Sequence, residues 1–77
     1  MSNLEALKQE LLRTNAAYQR LVEEHRECEE RLALLIQKSL PSQEDEAEEK
    51  RLKIHKLSLK DQMEKILRNH RENRVAV

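Results

Sequence analysis

The sequence predicts an all-α protein, an antiparallel two-helix hairpin of the coiled-coil type that assembles into a four-helix or larger bundle. The 77-residue chain has no glycine and one proline, so only one position strongly interrupts helix. Charged residues make up 39% of the chain and aromatic residues 1%, which is typical of long, solvent-exposed helices. Apolar residues recur at alternating spacings of three and four, as in the seam of a left-handed coiled coil.

The first helix is expected at about residues 3–39. Ser2 and Glu5 match a capping box, in which a hydroxyl and a carboxylate bind the first free amides of a helix. Val22 and Ile36 widen the apolar row that follows. The row itself comprises Leu4, Leu7, Leu11, Thr14, Tyr18, Leu21, His25, Cys28, Leu32 and Leu35.

A turn at residues 40–42 and a second helix at about 43–73 follow from Pro41. Proline has no amide hydrogen and disfavours helical backbone at the preceding residue, so the first helix should stop near it. Ser42 and Asp45 repeat the cap signal, and the acidic residues around them suit the positive end of a helix dipole. Four opposite-charge pairs one turn apart support the second helix: Glu46 with Lys50, Glu49 with Lys53, Asp61 with Lys65, and Glu64 with Arg68.

The two helices should close on one apolar seam and form a single domain over residues 1–77. A domain of this size buries only about 60% of its unfolded surface, so a homo-oligomer is expected. Leu34, Ile54 and Leu57 fall outside the seam and are predicted to form an oligomer or partner interface. The predicted seam residues are Leu11, Tyr18, Leu21, His25, Leu32, Leu52, Leu59, Met63 and Ile66.

Two segments match the motifs of a known family. Residues 52–67 read LKIHKLSLKDQMEKIL and residues 15–28 read NAAYQRLVEEHREC. Together they resemble the YdcH-like family of small bacterial proteins, a domain of unknown function, over about residues 7–68. Ala16 stands where that family often has proline, which favours a continuous first helix, and Cys28 stands where it usually has leucine. The resemblance implies a cytoplasmic bacterial helical hairpin and supplies no catalytic activity, cofactor or partner.

The overall charge and the apolar pattern argue against a protein that binds nucleic acid or a membrane. Fifteen basic and fifteen acidic residues cancel, so no global field favours nucleic acid or membrane. No signal-peptide pattern and no apolar run of about 20 residues is found, and we expect a cytoplasmic protein without membrane contact. Cys28 is the single cysteine, which excludes an intramolecular disulfide and suits a reducing compartment.

Three potential metal ligands come near one another if the chain folds about Pro41. They are His25, Cys28 and His55, a weak candidate for a zinc site because no dense ligand motif accompanies them. The competing interpretation is that they are seam residues that set register and association state. We expect no cofactor and no metal.

The chain is expected to be a non-enzymatic protein-interaction or assembly module with no small-molecule substrate. Two helices without long loops offer no concave site in which Cys28 could act as a nucleophile. The alternative is a nucleic-acid-associated protein that uses a basic second helix. Its possible phosphate contacts are Lys53, Lys56, Lys60, Arg68 and Arg71, but the helix has no aromatic side chains for base stacking.

Overall fold

The computed structural model describes residues 3–75 as three helices. These are α1 at Asn3–Thr14, α2 at Ala16–Ile36 and α3 at Gln43–Val75. Within this range only Asn15 and the connection at residues 37–42 lie outside helix. The prediction of an all-helical fold is confirmed. The predicted cap at Ser2 lies outside the described residues.

The prediction of one helix over residues 3–39 is wrong, because the chain breaks at Asn15. This residue has extended backbone angles, φ −118° and ψ 109°, and its side chain accepts a hydrogen bond from the Tyr18 amide at 2.8 Å. Asn15 is therefore the N-cap of α2. Asparagine is one of the best capping residues, and here its side chain competes successfully with continued helix. The expectation that Ala16 favours a continuous helix fails for the same reason.

On the N-terminal side of Asn15, α1 packs against both of the other helices. Leu7, Leu11, Tyr18 and Leu67 form one buried cluster that draws on all three helices. Burial, and secondly the Glu5 carboxylate, raise the pKa of Tyr18.

α2 and α3 lie side by side and run in opposite directions. Arg31 binds Glu48 through two hydrogen bonds of 2.8 and 2.9 Å, while Lys56 lies 3.3 Å from Glu29. Positions later in α3 thus meet positions earlier in α2. Between these contacts, Leu21, Cys28 and Leu59 form a second buried cluster.

The buried residues follow much of the predicted apolar row. His25 is half-buried, and Leu52, Met63 and Ile66 are partly buried against the core. The core residues are Leu7, Leu11, Tyr18, Leu21, Cys28, Leu32, Leu35, Leu59 and Leu67. Leu4 and Thr14 were expected in the row and Ile36 beside it, but all three are exposed.

The connection between α2 and α3 is longer than the predicted turn at residues 40–42. α2 ends at Ile36 rather than near residue 39, and residues 37–42 are non-helical. The amide of Gln37 donates to the Ala33 carbonyl and that of Lys38 to the Leu35 carbonyl, which closes the last turn of α2. The helix therefore ends well before the residue that proline restricts directly.

The predicted cap at the start of α3 is confirmed. The Asp45 amide donates to the Ser42 hydroxyl at 3.1 Å, and the Ser42 amide donates to the Asp45 carboxylate at 3.0 Å. Lys38 adds an ion pair to Asp45 at 3.0 Å. These reciprocal bonds form a capping box. Of the four pairs predicted along the helix, Glu49 and Lys53 are in contact at 2.9 Å.

Replacing Asn15 tests the bend. We expect Asn15→Ala to lower the free energy of unfolding by about 1 kcal/mol because the Tyr18 amide loses its acceptor. Asn15→Ser, the control, keeps a capping oxygen and should stay close to the parent chain. Urea unfolding followed by circular dichroism measures the difference. In a continuous helix, alanine would instead stabilise the chain by up to about 0.7 kcal/mol, so a gain would contradict the bend.

The α3 cap should make stability fall in acid. The Ser42 amide, and then Lys38, hold the pKa of Asp45 below its ordinary value of 3.8. A carboxylate with a lowered folded pKa stabilises the fold at pH values above its unfolded pKa, and this contribution is lost as pH falls through the folded pKa. The unfolding free energies of the parent chain and Asp45→Asn should therefore differ at pH 7 and converge as the pH falls through the folded pKa of Asp45. A difference that stays constant between these values would contradict the role of the charge.

Candidate interaction surface

The outer face of α3 carries two large apolar side chains that contact no core cluster. Ile54 is 69% exposed and Leu57 is 63% exposed. Helical residues are spaced by about 100°, so these two positions lie roughly opposite the buried Leu59. Both residues were expected to fall outside the seam. We call the surface centred on them the α3 outer face.

A second exposed apolar group lies near the connection between α2 and α3. Leu34 is 57% exposed, Ile36 66% and Leu40 90%. The sequence grouped Leu34 with the residues of the α3 outer face. Since Arg31 meets Glu48, Leu34 lies near the start of α3, whereas Ile54 lies about 9 Å beyond Glu48 along that helix. Along α2, Leu34 thus lies nearer to the connection than to the level of Ile54.

The basic residues of α3 fall into two groups. Lys53 lies 2.9 Å from Glu49 and Lys56 lies 3.3 Å from Glu29, so acidic neighbours within the chain compensate both charges. The other predicted phosphate contacts are exposed, namely Lys60, Arg68 and Arg71. An ammonium group already paired with a carboxylate gains less from a phosphate than a free one. The basic surface of α3 is thus weaker than the sequence suggests.

The structure does not bring His25, Cys28 and His55 together as a metal site. Within the described part of the chain, no three potential ligands are arranged to hold a metal ion. Cys28 is buried, whereas His55 is exposed. His25 is half-buried, and its Nδ1 lies 3.6 Å from Glu29, the same carboxylate that meets Lys56. His25 thus borders the α2 and α3 contact, whereas Cys28 packs inside it.

The environment of Cys28 opposes thiolate chemistry. Burial raises the pKa of the thiol, and the nearby carboxylates of Glu24 and Glu27 raise it further, while Lys56 opposes them. The thiolate is the reactive form of cysteine, so a raised pKa lowers its reactivity at neutral pH. Cys28 packs in the core as a small apolar residue, in one cluster with Leu21 and Leu59.

One contact between distant parts of the chain is not evident in the sequence. His70 Nε2 lies 2.9 Å from Glu10 Oε2, and both side chains are about one-third exposed. The pair joins α1 to the C-terminal half of α3. The sequence pattern alone names no partner for His70. The available signal was the hairpin register, because Glu10 and His70 lie at nearly equal distances before and after Pro41.

No described helix has an apolar stretch of the length needed to cross a membrane. Among the described residues that are not exposed, every buried side-chain nitrogen and oxygen has a hydrogen-bond partner. The described interior therefore offers no unpaired polar group aimed at a ligand. The candidate binding sites are therefore exposed apolar residues on the surface. Of these, Ile54 and Leu57 lie on α3, the longest helix.

Comparisons with known proteins identify no relative from which a function could be transferred. No protein-family model, curated protein or solved structure matches this chain. The resemblance to the YdcH-like family stays a prediction that rests on the motifs in residues 15–28 and 52–67. Any function must therefore be argued from the surface itself.

Proposed function

We propose that this chain is a non-enzymatic protein-interaction or assembly module that acts as a homo-oligomer. In this proposal α2 and α3 form a helical hairpin, and hairpins associate into a four-helix or larger assembly. The observation that supports it most directly is the exposure of Ile54 and Leu57 in the middle of α3. Neighbouring large apolar side chains on an otherwise charged helix face are typical of a contact surface.

The shape of the molecule supports the same proposal. The structure measures 54 by 23 by 17 Å, so it is long and thin. Such a shape leaves much of each helix in solvent, and the stability of a small domain depends on the apolar area that it buries. Association along the length of α3 would bury further apolar surface. We place the protein in the bacterial cytoplasm on the resemblance to the YdcH-like family.

Nucleic-acid binding is the less favoured alternative. Lys53 and Lys56 are paired with carboxylates. Of the predicted phosphate contacts, Lys60, Arg68 and Arg71 remain. Three contacts would give a log-log salt slope of about −3 on duplex DNA. In filter binding at 50 to 200 mM salt we expect no duplex binding of this kind. A slope of that size or steeper would favour the alternative.

A charge placed on the α3 outer face should weaken self-association. We expect Leu57→Glu to lower the mass measured by multi-angle light scattering and to raise the dissociation constant at least about tenfold, because a carboxylate would be buried without a partner. Leu57 is exposed within one chain, so helix content by circular dichroism should not change.

Gln62→Glu is a matched control for this experiment. Gln62 is an exposed residue of α3 near Leu57 in sequence, on a different side of the helix, and its substitution adds the same charge. This variant should keep the parent mass. If Leu57→Glu also keeps it, Leu57 is not at the interface.

A further inference from the structure

The α3 outer face contains a second row of residues with coiled-coil spacing. Eight positions alternate between steps of four and three residues, as a and d positions do in a heptad. All eight are exposed. They are Gln43, Ala47, Lys50, Ile54, Leu57, Asp61, Glu64 and Arg68. Two apolar residues lie at the centre of this row, and charged residues lie on both sides of them.

The order of charges along the row is self-complementary. If a second copy of α3 packs antiparallel, with a two-fold axis midway between Ile54 and Leu57, each of these residues meets the other in the second copy. The same operation places Lys50 opposite Asp61, about 8 Å from the axis in each direction. One symmetric contact therefore contains a central apolar layer and two opposite-charge layers.

The positions further from the axis are compatible with this arrangement. Ala47 meets Glu64, and Gln43 meets Arg68, so no like charges face each other along the row. On one side of the row, Glu44 of one copy approaches Lys65 of the other.

On the other side of the row, two like charges come near each other, because Lys53 of one copy approaches Lys60 of the other. Lys53 is already paired with Glu49 at 2.9 Å. Its charge is therefore compensated within the chain.

A parallel arrangement would place every residue of the row against its own copy. Lys50 would face Lys50, Asp61 would face Asp61, and Glu64 and Arg68 would likewise face themselves. Like charges in direct opposition destabilise a helical contact. The charge pattern therefore selects the antiparallel orientation.

We propose that the partner of the α3 outer face is a second copy of this chain, packed antiparallel with Ile54 against Leu57 and Lys50 against Asp61. This inference rests on the proposed role in assembly and gives it a specific interface. Because the outer face lies opposite the side that packs on α2, the two α3 helices lie in the middle. The two α2 helices then lie on the outside, and each α1 flanks the ends of the row, since Leu4 and Lys8 line one groove with Glu64 and Arg68.

Charge reversal tests the pairing directly. Neither Lys50 nor Asp61 takes part in the ion pairs that the described residues form within the chain, and both are exposed, so reversal should leave the fold intact. Lys50→Asp and Asp61→Lys should each raise the dimer dissociation constant about tenfold, since each creates two like-charge contacts. The double variant K50D/D61K should return to within about twofold of the parent chain.

Sedimentation equilibrium over a range of concentrations measures these constants, with circular dichroism to verify folding. Arg20→Asp and Glu27→Lys change the net charge equally on exposed positions of α2 and should have no effect. Mixing the two single α3 variants should restore dimers, now as heterodimers, because each copy then supplies the charge that the other lacks.

The outcomes separate this inference from the broader proposal. Weakened single variants with a restored double variant support the antiparallel pair. Single variants that associate like the parent chain overturn it, and if Leu57→Glu still lowers the mass, the assembly role stands without this orientation. A double variant that stays as weak as the single ones also overturns the pairing. A parent chain that remains monomeric overturns both proposals.

Discussion

The packing of Leu21, Cys28 and Leu59 between α2 and α3 determines what the rest of the molecule presents to solvent. Leu59 is only 2% exposed, and burying a leucine side chain contributes about 1.5–3 kcal/mol. The ion pair of Arg31 with Glu48 is exposed and adds little stability by comparison. Once Leu59 faces α2, the rotation of α3 about its axis is fixed. Every other residue of α3 then has a defined direction.

The rotation of α3 links the core to the proposed function. A helix that must bury Leu59 and Leu67 on one side necessarily turns Ile54 and Leu57 to the other. The chain retains these apolar residues at positions where a monomer gains nothing from them. The observed core and the proposed interface are two rows on one helix, and α3 would be the element that holds an assembly together.

Features that depend on local sequence could be predicted, and those that depend on a bend could not. The start of α3 was predictable because Ser42 and Asp45 form the cap from within one turn. The break at Asn15 was missed because the three-four spacing continues across it, through Leu11, Thr14 and Tyr18. Periodicity reports which residues are apolar, and a straight helix and a bent one share the same pattern. The cap at Asn15 was the competing signal.

On the candidate surface, too, some features could be predicted from sequence and others depend on packing. The outward direction of Ile54 and Leu57 could be predicted from helical geometry alone. The pairing of Lys56 with Glu29 could not, because it depends on how α2 and α3 slide past each other. The contact of His70 with Glu10 likewise depends on how α1 and α3 pack against each other. The side of the helix on which a residue lies can therefore be predicted from sequence. The residue that each charged side chain contacts is known only from the packed structure.

The bend at Asn15 also makes local stability uneven along the chain. Asn15 keeps helical hydrogen bonds on both sides, since its amide donates to Leu11 and its carbonyl accepts from Gln19. Releasing α1 would therefore break few backbone bonds. It would expose chiefly Leu7 and Leu11, which corresponds to about 3–6 kcal/mol of lost burial. We therefore expect α1 to open before α2 and α3, so that its backbone amides exchange with solvent before those around Leu59.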